Sequence, residues 1–393
     1  MKKLLMATAA SALLAGAASA EEIKLGVILG FTGPIESLTP NMAAGAELAM
    51  KEVSDSGKLL DGSTVASVRA DSTCVDAGAA TAAAERLITS EGVKGIMGAD
   101  CSGVTGAVLA NAAVPNGIVM VSPSATSPAL SDAEDNGLFF RTAPSDARQG
   151  KVMTQVLLDQ GVKSVALTYT NNDYGKGLAD SFQKAFEAAG GEVTISAAHE
   201  DGKADYSAEV GALAAAGGDR LVVAGYVDQG GNGIVRAALD AGAFDTFHFP
   251  DGMIGAKLEE DFGSDIDGST GQVPGTDSPG AAKFAEVVGD AIDVSSPYVG
   301  ESYDAAALIM LAMQAAGSSD PSAYKDKMME VANAPGEPIY PGELAKALEI
   351  IAGGGDIDYV GATAVELIGP GEAAGGYREI VFKGGKMETV GYR

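Results

Sequence analysis

A β-rich run, a polar glycine-containing loop and then a helix follow one another repeatedly along this 393-residue chain, and the series starts again near its middle. Residues 23–30 (IKLGVILG) read as a strand, followed by the Gly/Pro loop FTGPIESLTPN. Met42, Ala46, Ala49, Met50 and Val53 then fall at helical spacing. A strand over 64–71 leads to an Ala-rich helix over 76–91, a strand over 93–99, a short helix over 103–113 and the strand-like GIVMVSPSA. After FRTAPSD (140–146) the pattern resumes with a helix over 151–160, a strand over 164–170 and a helix over 177–189. GEVTISAAH, a helix near 205–216, a strand over 220–226, a helix over 233–241 and FHFPDGM (247–253) come next. Strands alternating with helices of this length predict right-handed βαβ units and parallel sheets. Two α/β lobes of related topology follow. The last third, 280–393, holds helices over 300–316 and 321–332 and a β-like tail, YREIVFKGGKMETVGYR. That tail is too short for a domain, so it completes the earlier lobes, and the chain crosses between them more than once.

The first twenty residues stand outside this pattern. Lys2 and Lys3 precede an apolar stretch too short to span a bilayer, and Ala18-Ser19-Ala20 supplies an A-x-A cleavage signal. Cleavage after Ala20, with no cysteine there for a lipid anchor, predicts an exported, periplasmic product. Charge narrows its partners: 53 acidic against 26 basic residues give a net −27. Such a surface lacks the basic footprint that a nucleic acid or an anionic membrane requires. In an exported chain the two cysteines, Cys74 and Cys101, read as a disulfide. Its loop of about 28 residues makes it worth roughly 3.5 kcal/mol in the chain-entropy model. No ligand spacing supports a metal site, and no motif calls for a cofactor.

Ligands of open α/β sheets bind beyond the carboxyl ends of the strands. Those ends read GFTGP, GADCSGVT, VSPSATSP, TYTNNDYG, AGYVDQGG and FPDGM, rich in hydroxyls, Gly, Tyr and Asp, with Lys176 alone as a nearby cation. Such a cleft suits a small zwitterion, its carboxylate on Ser/Thr hydroxyls and backbone N–H groups, its ammonium on an Asp. Enzyme motifs fit poorly. Gly231–Arg236 begins like a dinucleotide turn without its third small residue, and Ala99-Asp100-Cys101-Ser102-Gly103 approaches a nucleophile elbow with Cys in place of Ser. His199 and His248 read as a loop and a strand residue without catalytic context.

IKLGVILGFTGP…GAELAMKEV, DSTC with GADCSGVT, SPSATSP, NNDYGKGLADSF, AGY, FPDG, PYVGESYDAA and DYVGATAVEL, in that order, carry a resemblance. The chain resembles the periplasmic solute-binding proteins of ABC importers, in the branched-chain amino-acid (Leu/Ile/Val-binding) branch. The resemblance implies the type I periplasmic binding fold: two Rossmann-like lobes with parallel central sheets, joined by a hinge of several crossovers. The N-terminal lobe would comprise 21–142 plus 276–363, the C-terminal lobe 143–275 plus 364–393, with the ligand between them. It also implies an amino-acid ligand, delivery to membrane permease subunits, a monomer, and neither enzymatic activity nor cofactor.

Residue by residue, Ser102 and Thr126 would take the ligand carboxylate, with Ser124 and Ala125 beside them. Asp251 would face the ammonium, Tyr174 and Tyr226 would close over the ligand, and Leu38 and Tyr298 would line its side-chain pocket. Structural alternatives stand beside these roles: Ser102 as a helix cap, Thr126 and Asp251 as turn residues, the tyrosines as core rims. Three departures bear on specificity. Leu38 stands where a larger aromatic is common, Asp251 is a methylene shorter than the usual Glu, and Asp100 replaces an apolar residue. Asp100 would then reach water or meet a donor on the ligand. The expected ligand is an aliphatic amino acid; alternatives are a polar amino acid, an amide, urea or a small carboxylate. An exported α/β hydrolase or a ligand sensor is the rival from another class.

Overall fold

The computed structural model describes residues 20–393. The signal sequence expected over 1–20 lies outside the described residues apart from Ala20. In the first lobe β1 (Glu22–Leu29), β2 (Thr64–Asp71), β3 (Ile96–Gly98), β4 (Met120–Ser122) and β5 (Phe139–Arg141) run parallel in the order β2-β1-β3-β4-β5. The second lobe repeats this order with β6 (Ser164–Thr170), β7 (Glu192–His199), β8 (Arg220–Ala224), β9 (Phe247–Phe249) and β10 (Thr270–Pro274), as β7-β6-β8-β9-β10. β11 (Glu337–Ile339) and β12 (Ile357–Tyr359) form a separate parallel pair. β13 (Leu367–Ile368) and β14 (Glu372–Ala373) return to the β5 edge of the first sheet. β15 (Tyr377–Lys383) and β16 (Lys386–Tyr392) add antiparallel to the β10 edge of the second.

The strand order reverses beside β1 and beside β6, and both topological switch points open onto the same cleft, where ligands of such sheets bind. The chain passes between the lobes three times: after Arg141, after Pro274, and between Ala373 and Tyr377. The third passage was expected at 363/364. It falls later because residues 366–373 stay on the first sheet, where the Gly371 carbonyl accepts from the Arg141 N–H at 3.0 Å and Glu372 pairs with the buried Arg141 guanidinium at 2.6 Å. Two-residue strands flanked by glycines carry no periodicity from which that return could be read.

Helix starts also come earlier than read. Helices Asp146–Asp159, Asp173–Ala188 and Gly230–Asp240 replace 151–160, 177–189 and 233–241. Ser145 and Asn172 cap the first two by accepting the N–H groups of Ala147 and Gly175. His199 is the last residue of β7 rather than a loop residue; it is buried, held by Thr168, and kept neutral by burial, with its pKa lowered to about 4. Helix Val299–Ala316 is buried around almost its whole circumference, as the unbroken run of small and aliphatic residues over 305–313 requires, and it packs on helix Thr39–Ser56. No helix among the described residues is long and apolar enough to cross a membrane.

That buried helix contains an anomalous acid. Glu301 is 5% exposed, and burial, reinforced by Asp304 and opposed by Arg378, pushes its carboxyl up to about 8. The folded state therefore keeps a proton that the unfolded chain releases near 4.5, so stability is fully present below about pH 4.5 and is lost as pH rises toward 8. Asp304, raised to about 6 by burial, acts in the same direction. Glu301→Gln is expected to raise the melting temperature by several degrees at pH 8 and to leave it nearly unchanged at pH 5, as read by scanning calorimetry. An equal shift at both pH values would exclude ionisation of Glu301 as the cause.

Candidate functional site

The disulfide forms one wall of the cleft. Cys74 and Cys101 are bridged, with Cα atoms 5.2 Å apart, and so tie the exit of β2 to the exit of β3. Asp100, beside the bridge, is 1% exposed, and its carboxylate accepts from the Gly30 N–H at 2.6 Å, the Ser72 hydroxyl at 3.0 Å and the Cys101 N–H at 3.0 Å. Asp100 was expected to reach water or a donor on the ligand; it lines the cleft while three protein donors hold its carboxylate in place. Burial raises its pKa and these bonds pull it back. A Cβ at Gly30 would sit 3.1 Å from an Asp100 oxygen and 3.0 Å from the Cys74 Cβ, so the absent side chain at residue 30 permits this approach.

Ile35, Leu38, Asp100 and Cys101 face Ser102, Ser124, Tyr174, Tyr226, Asp251 and Tyr298 around a cavity that the closed lobes reduce to about 20 Å³, room for about one water. The Ser102 hydroxyl oxygen accepts the N–H groups of Thr126 at 3.2 Å and Ser127 at 3.0 Å, which leaves its own proton available. Ser124 donates to the Asp100 carbonyl at 3.1 Å. Ala125 lies behind this surface: its N–H goes to Ser122 and its carbonyl receives Arg141, so the contact expected of it has both backbone groups already engaged. Thr126 is fully buried, and its hydroxyl has no hydrogen-bond partner.

On the second lobe Tyr174 and Tyr226 stack with ring centres 5.2 Å apart. Asp251, 1% exposed, accepts the Tyr174 hydroxyl at 2.6 Å, the Tyr298 hydroxyl at 2.5 Å and the Gly252 N–H at 2.9 Å. Burial nevertheless holds its pKa above the ordinary carboxylate value. A Cβ at Gly252 would meet the Tyr174 hydroxyl at 2.7 Å. Tyr298 adopts a left-handed backbone, φ 65°, unfavourable for an aromatic L-residue by about 1–2 kcal/mol; the bond to Asp251 and the helix that begins at Val299 hold it there. The lobes are closed: the Ser37 N–H donates to the Asp228 carboxylate at 2.8 Å, and the Asp228 N–H to the Pro34 carbonyl at 3.0 Å.

Sequence reasoning missed Ile35, which lines the cleft, and three residues just beneath it. Asp146, Gln149 and Tyr377 are fully buried with side-chain polar atoms that have no hydrogen-bond partner. Asp146 follows the Ser145 cap, so in sequence it reads as an ordinary first-turn acid. The pattern Asp-x-x-Gln at a helix start that also begins the second lobe was the available signal.

Two lobes of matching parallel topology, linked by three passages and closed over a cleft with hydroxyls and a buried carboxylate at one end, define a hinged ligand-binding protein of the type I periplasmic binding fold. The chain belongs to the periplasmic binding protein family, whose sequence model matches residues 22–342. It is similar to Leu/Ile/Val-binding protein homolog 3 of Brucella melitensis, 30% identical over 337 residues, covering 83% of this chain and 88% of that protein. Among solved structures it resembles a leucine-binding protein from Thermotoga maritima, with TM-score 0.79 and 23% identity over 94% of this chain and 98% of that one. It also resembles a branched-chain amino-acid substrate-binding protein from Streptococcus pneumoniae in complex with isoleucine, with TM-score 0.76 and 22% identity over 95% and 99%.

Proposed function

We propose that this protein captures an aliphatic amino acid in the periplasm and delivers it, by lobe closure, to the permease subunits of an ABC importer. What carries the reading is the division of the cleft. Ser102 and Asp251 line the cleft with hydrogen-bonding capacity to spare and the unpartnered Thr126 hydroxyl lies next to Ser102, whereas Ile35, Leu38 and Cys101 supply apolar lining. A carboxylate would bind at the Ser102 and Thr126 hydroxyls, and an ammonium at Asp251. Asp100, like Asp251, accepts from three protein donors and keeps acceptor capacity at the cleft, so the second reading is a ligand whose side chain carries a donor, such as a polar amino acid or an amide. The same division argues for binding without turnover. The protein would act as a monomer after signal cleavage behind Ala20, as the family's periplasmic role suggests.

The test is calorimetric titration of residues 21–393, unfolded and refolded to remove carried-over ligand. Leucine, isoleucine and valine are expected to bind saturably at one site. Heat from a polar amino acid or an amide, with none from these three, would move the specificity while leaving the transport role in place. Silence from all of them would count against amino-acid capture.

A further inference from the structure

A second cavity, of about 170 Å³, lies at the hinge rather than in the cleft. The end of β10 supplies Pro274 to its wall, β15 supplies Arg378, β16 supplies Tyr392, and the head of helix Val299–Ala316 supplies Glu301 with Tyr298 just before it. Much of the remaining lining is apolar. Val294 and Tyr392, two of the few large apolar side chains that stay exposed on the described chain, both belong to it. A dry cavity of about 150 Å³ takes up benzene, so this one has room for a body of that size.

Two polar groups line this cavity with bonding capacity unused. Glu301 is almost wholly buried, yet its carboxyl accepts no hydrogen bond from any other described residue. Buried polar groups are nearly always bonded, so a vacant carboxyl that opens onto a cavity is exceptional. The Arg378 guanidinium donates through Nη2 to the Ser295 carbonyl at 3.0 Å, but its buried Nε–H has no acceptor. Glu301 and Arg378 are the two charged residues of the lining, and they form no ion pair. A buried acid without donors keeps its proton, and burial pushes the Glu301 carboxyl up to about 8. The charged groups acting on it are Asp304, on its own helix, and Arg378, from β15. The other walls contribute uncharged side chains only, the phenols of Tyr298 and Tyr392 included. At neutral pH the cavity thus presents a carboxylic O–H, a guanidinium and no ionised acid.

We propose that the hinge cavity is a second binding site, for a small apolar monocarboxylate whose oxygens accept from the Glu301 O–H and the Arg378 guanidinium. A carboxylate satisfies both groups at once. An ammonium would pair only with an ionised Glu301 and would meet the charge of Arg378. The two groups stand on opposite sides of the hinge: helix Val299–Ala316 packs on helix Thr39–Ser56 of the first lobe, whereas β15 belongs to the second sheet. A molecule held by both therefore braces the closed lobes. Tyr298 lines the cleft and the hinge cavity alike, and its hydroxyl donates to Asp251 at 2.5 Å. By reciprocity the brace raises the affinity of the cleft for its own ligand, whichever that is.

Benzoate, a carboxylate of matching size, is titrated calorimetrically into refolded protein at about pH 6.5 and about pH 9. The expected result is saturable binding at one site at the lower pH and roughly tenfold weaker binding at the higher, where Glu301 has lost its proton. Glu301→Gln is expected to bind equally at both, because an amide N–H replaces the carboxyl O–H. Arg378→Gln is expected to bind at least about tenfold more weakly at the lower pH. Benzoate alone is also expected to reduce the radius of gyration in solution scattering. No benzoate binding, equal binding by the unaltered protein at the two pH values, or full affinity in Arg378→Gln would overturn the site. Heat from benzylamine with none from benzoate would overturn it in favour of a cation on ionised Glu301. Benzoate binding with no change in radius of gyration would overturn the brace alone. None of these outcomes bears on the reading of the cleft, and the pH comparison on unaltered protein does not depend on a variant folding.

Discussion

Asp251→Asn is expected to weaken amino-acid binding by at least about a hundredfold, measured by calorimetric titration at pH 7.5. Truncating one member of a buried, hydrogen-bonded charge pair typically costs 2–5 kcal/mol, or about thirty- to several-thousand-fold in affinity. Asp251 belongs at the upper end for a geometric reason. Its two oxygens bind tyrosines reached from different lobes: Tyr174 on a second-lobe helix and Tyr298 at the head of first-lobe helix Val299–Ala316. The amide keeps one acceptor and presents an NH2 group to a hydroxyl that now has no acceptor there. The variant thus loses both the ammonium's counter-charge and one tie across the cleft. A loosened closure is separately visible as an increase in radius of gyration by solution scattering in the presence of ligand. Folding should survive, because removing a buried charge relieves the desolvation that raises the Asp251 pKa. Affinity within threefold of the unaltered protein would remove Asp251 from the ligand-binding role.

The parallel strands of both lobes were legible because a buried β-strand leaves a run of apolar residues and its exit loop leaves glycines and hydroxyls, each within a short window of sequence. The resemblance brought Ser102, Ser124, Tyr174, Tyr226, Asp251 and Tyr298 forward, and the fold gathers them about one cavity. Asp100 shows what such reading cannot reach. Its partners, Gly30 and Ser72, lie 70 and 28 residues away, and only the convergence of three strand exits joins them. Asp146 is hidden for a related reason: a first-turn acid is common on any helix, and its complete burial is what makes it unusual. The return of β13 and β14 to the first sheet rests on the Arg141–Glu372 pair, another contact with no local signature.

Asp304→Ala is expected to be the most damaging single change to stability, lowering the melting temperature by roughly 5–10 °C in scanning calorimetry. In sequence Asp304 is one acid in PYVGESYDAA, and nothing there separates it from Glu301. In the fold it is fully buried, and its carboxylate receives four donors: the Tyr359 hydroxyl at 2.8 Å, the Ala362 N–H at 2.8 Å, the Thr363 N–H at 2.9 Å and the Thr363 hydroxyl at 2.6 Å. Even so, burial pushes its carboxyl up to about 6. Alanine would strand those donors at about 1–3 kcal/mol for each that finds no water. The consequence extends along the chain. The bound segment includes Gly361, φ 59°, where a Cβ would lie 2.4 Å from the Asp304 carboxylate. The Gly361 carbonyl in turn lies against Gly280, at the start of the helix that follows the second passage between lobes. Asp304 therefore fixes the turn that leads toward the third passage and, through it, packing beside the second. Tyr298 lies only six residues upstream on the same segment, so the variant should also weaken ligand binding, though by less than Asp251→Asn. A melting temperature within about 2 °C of the unaltered protein would mean that the turn finds other partners and that the hinge does not depend on this carboxylate.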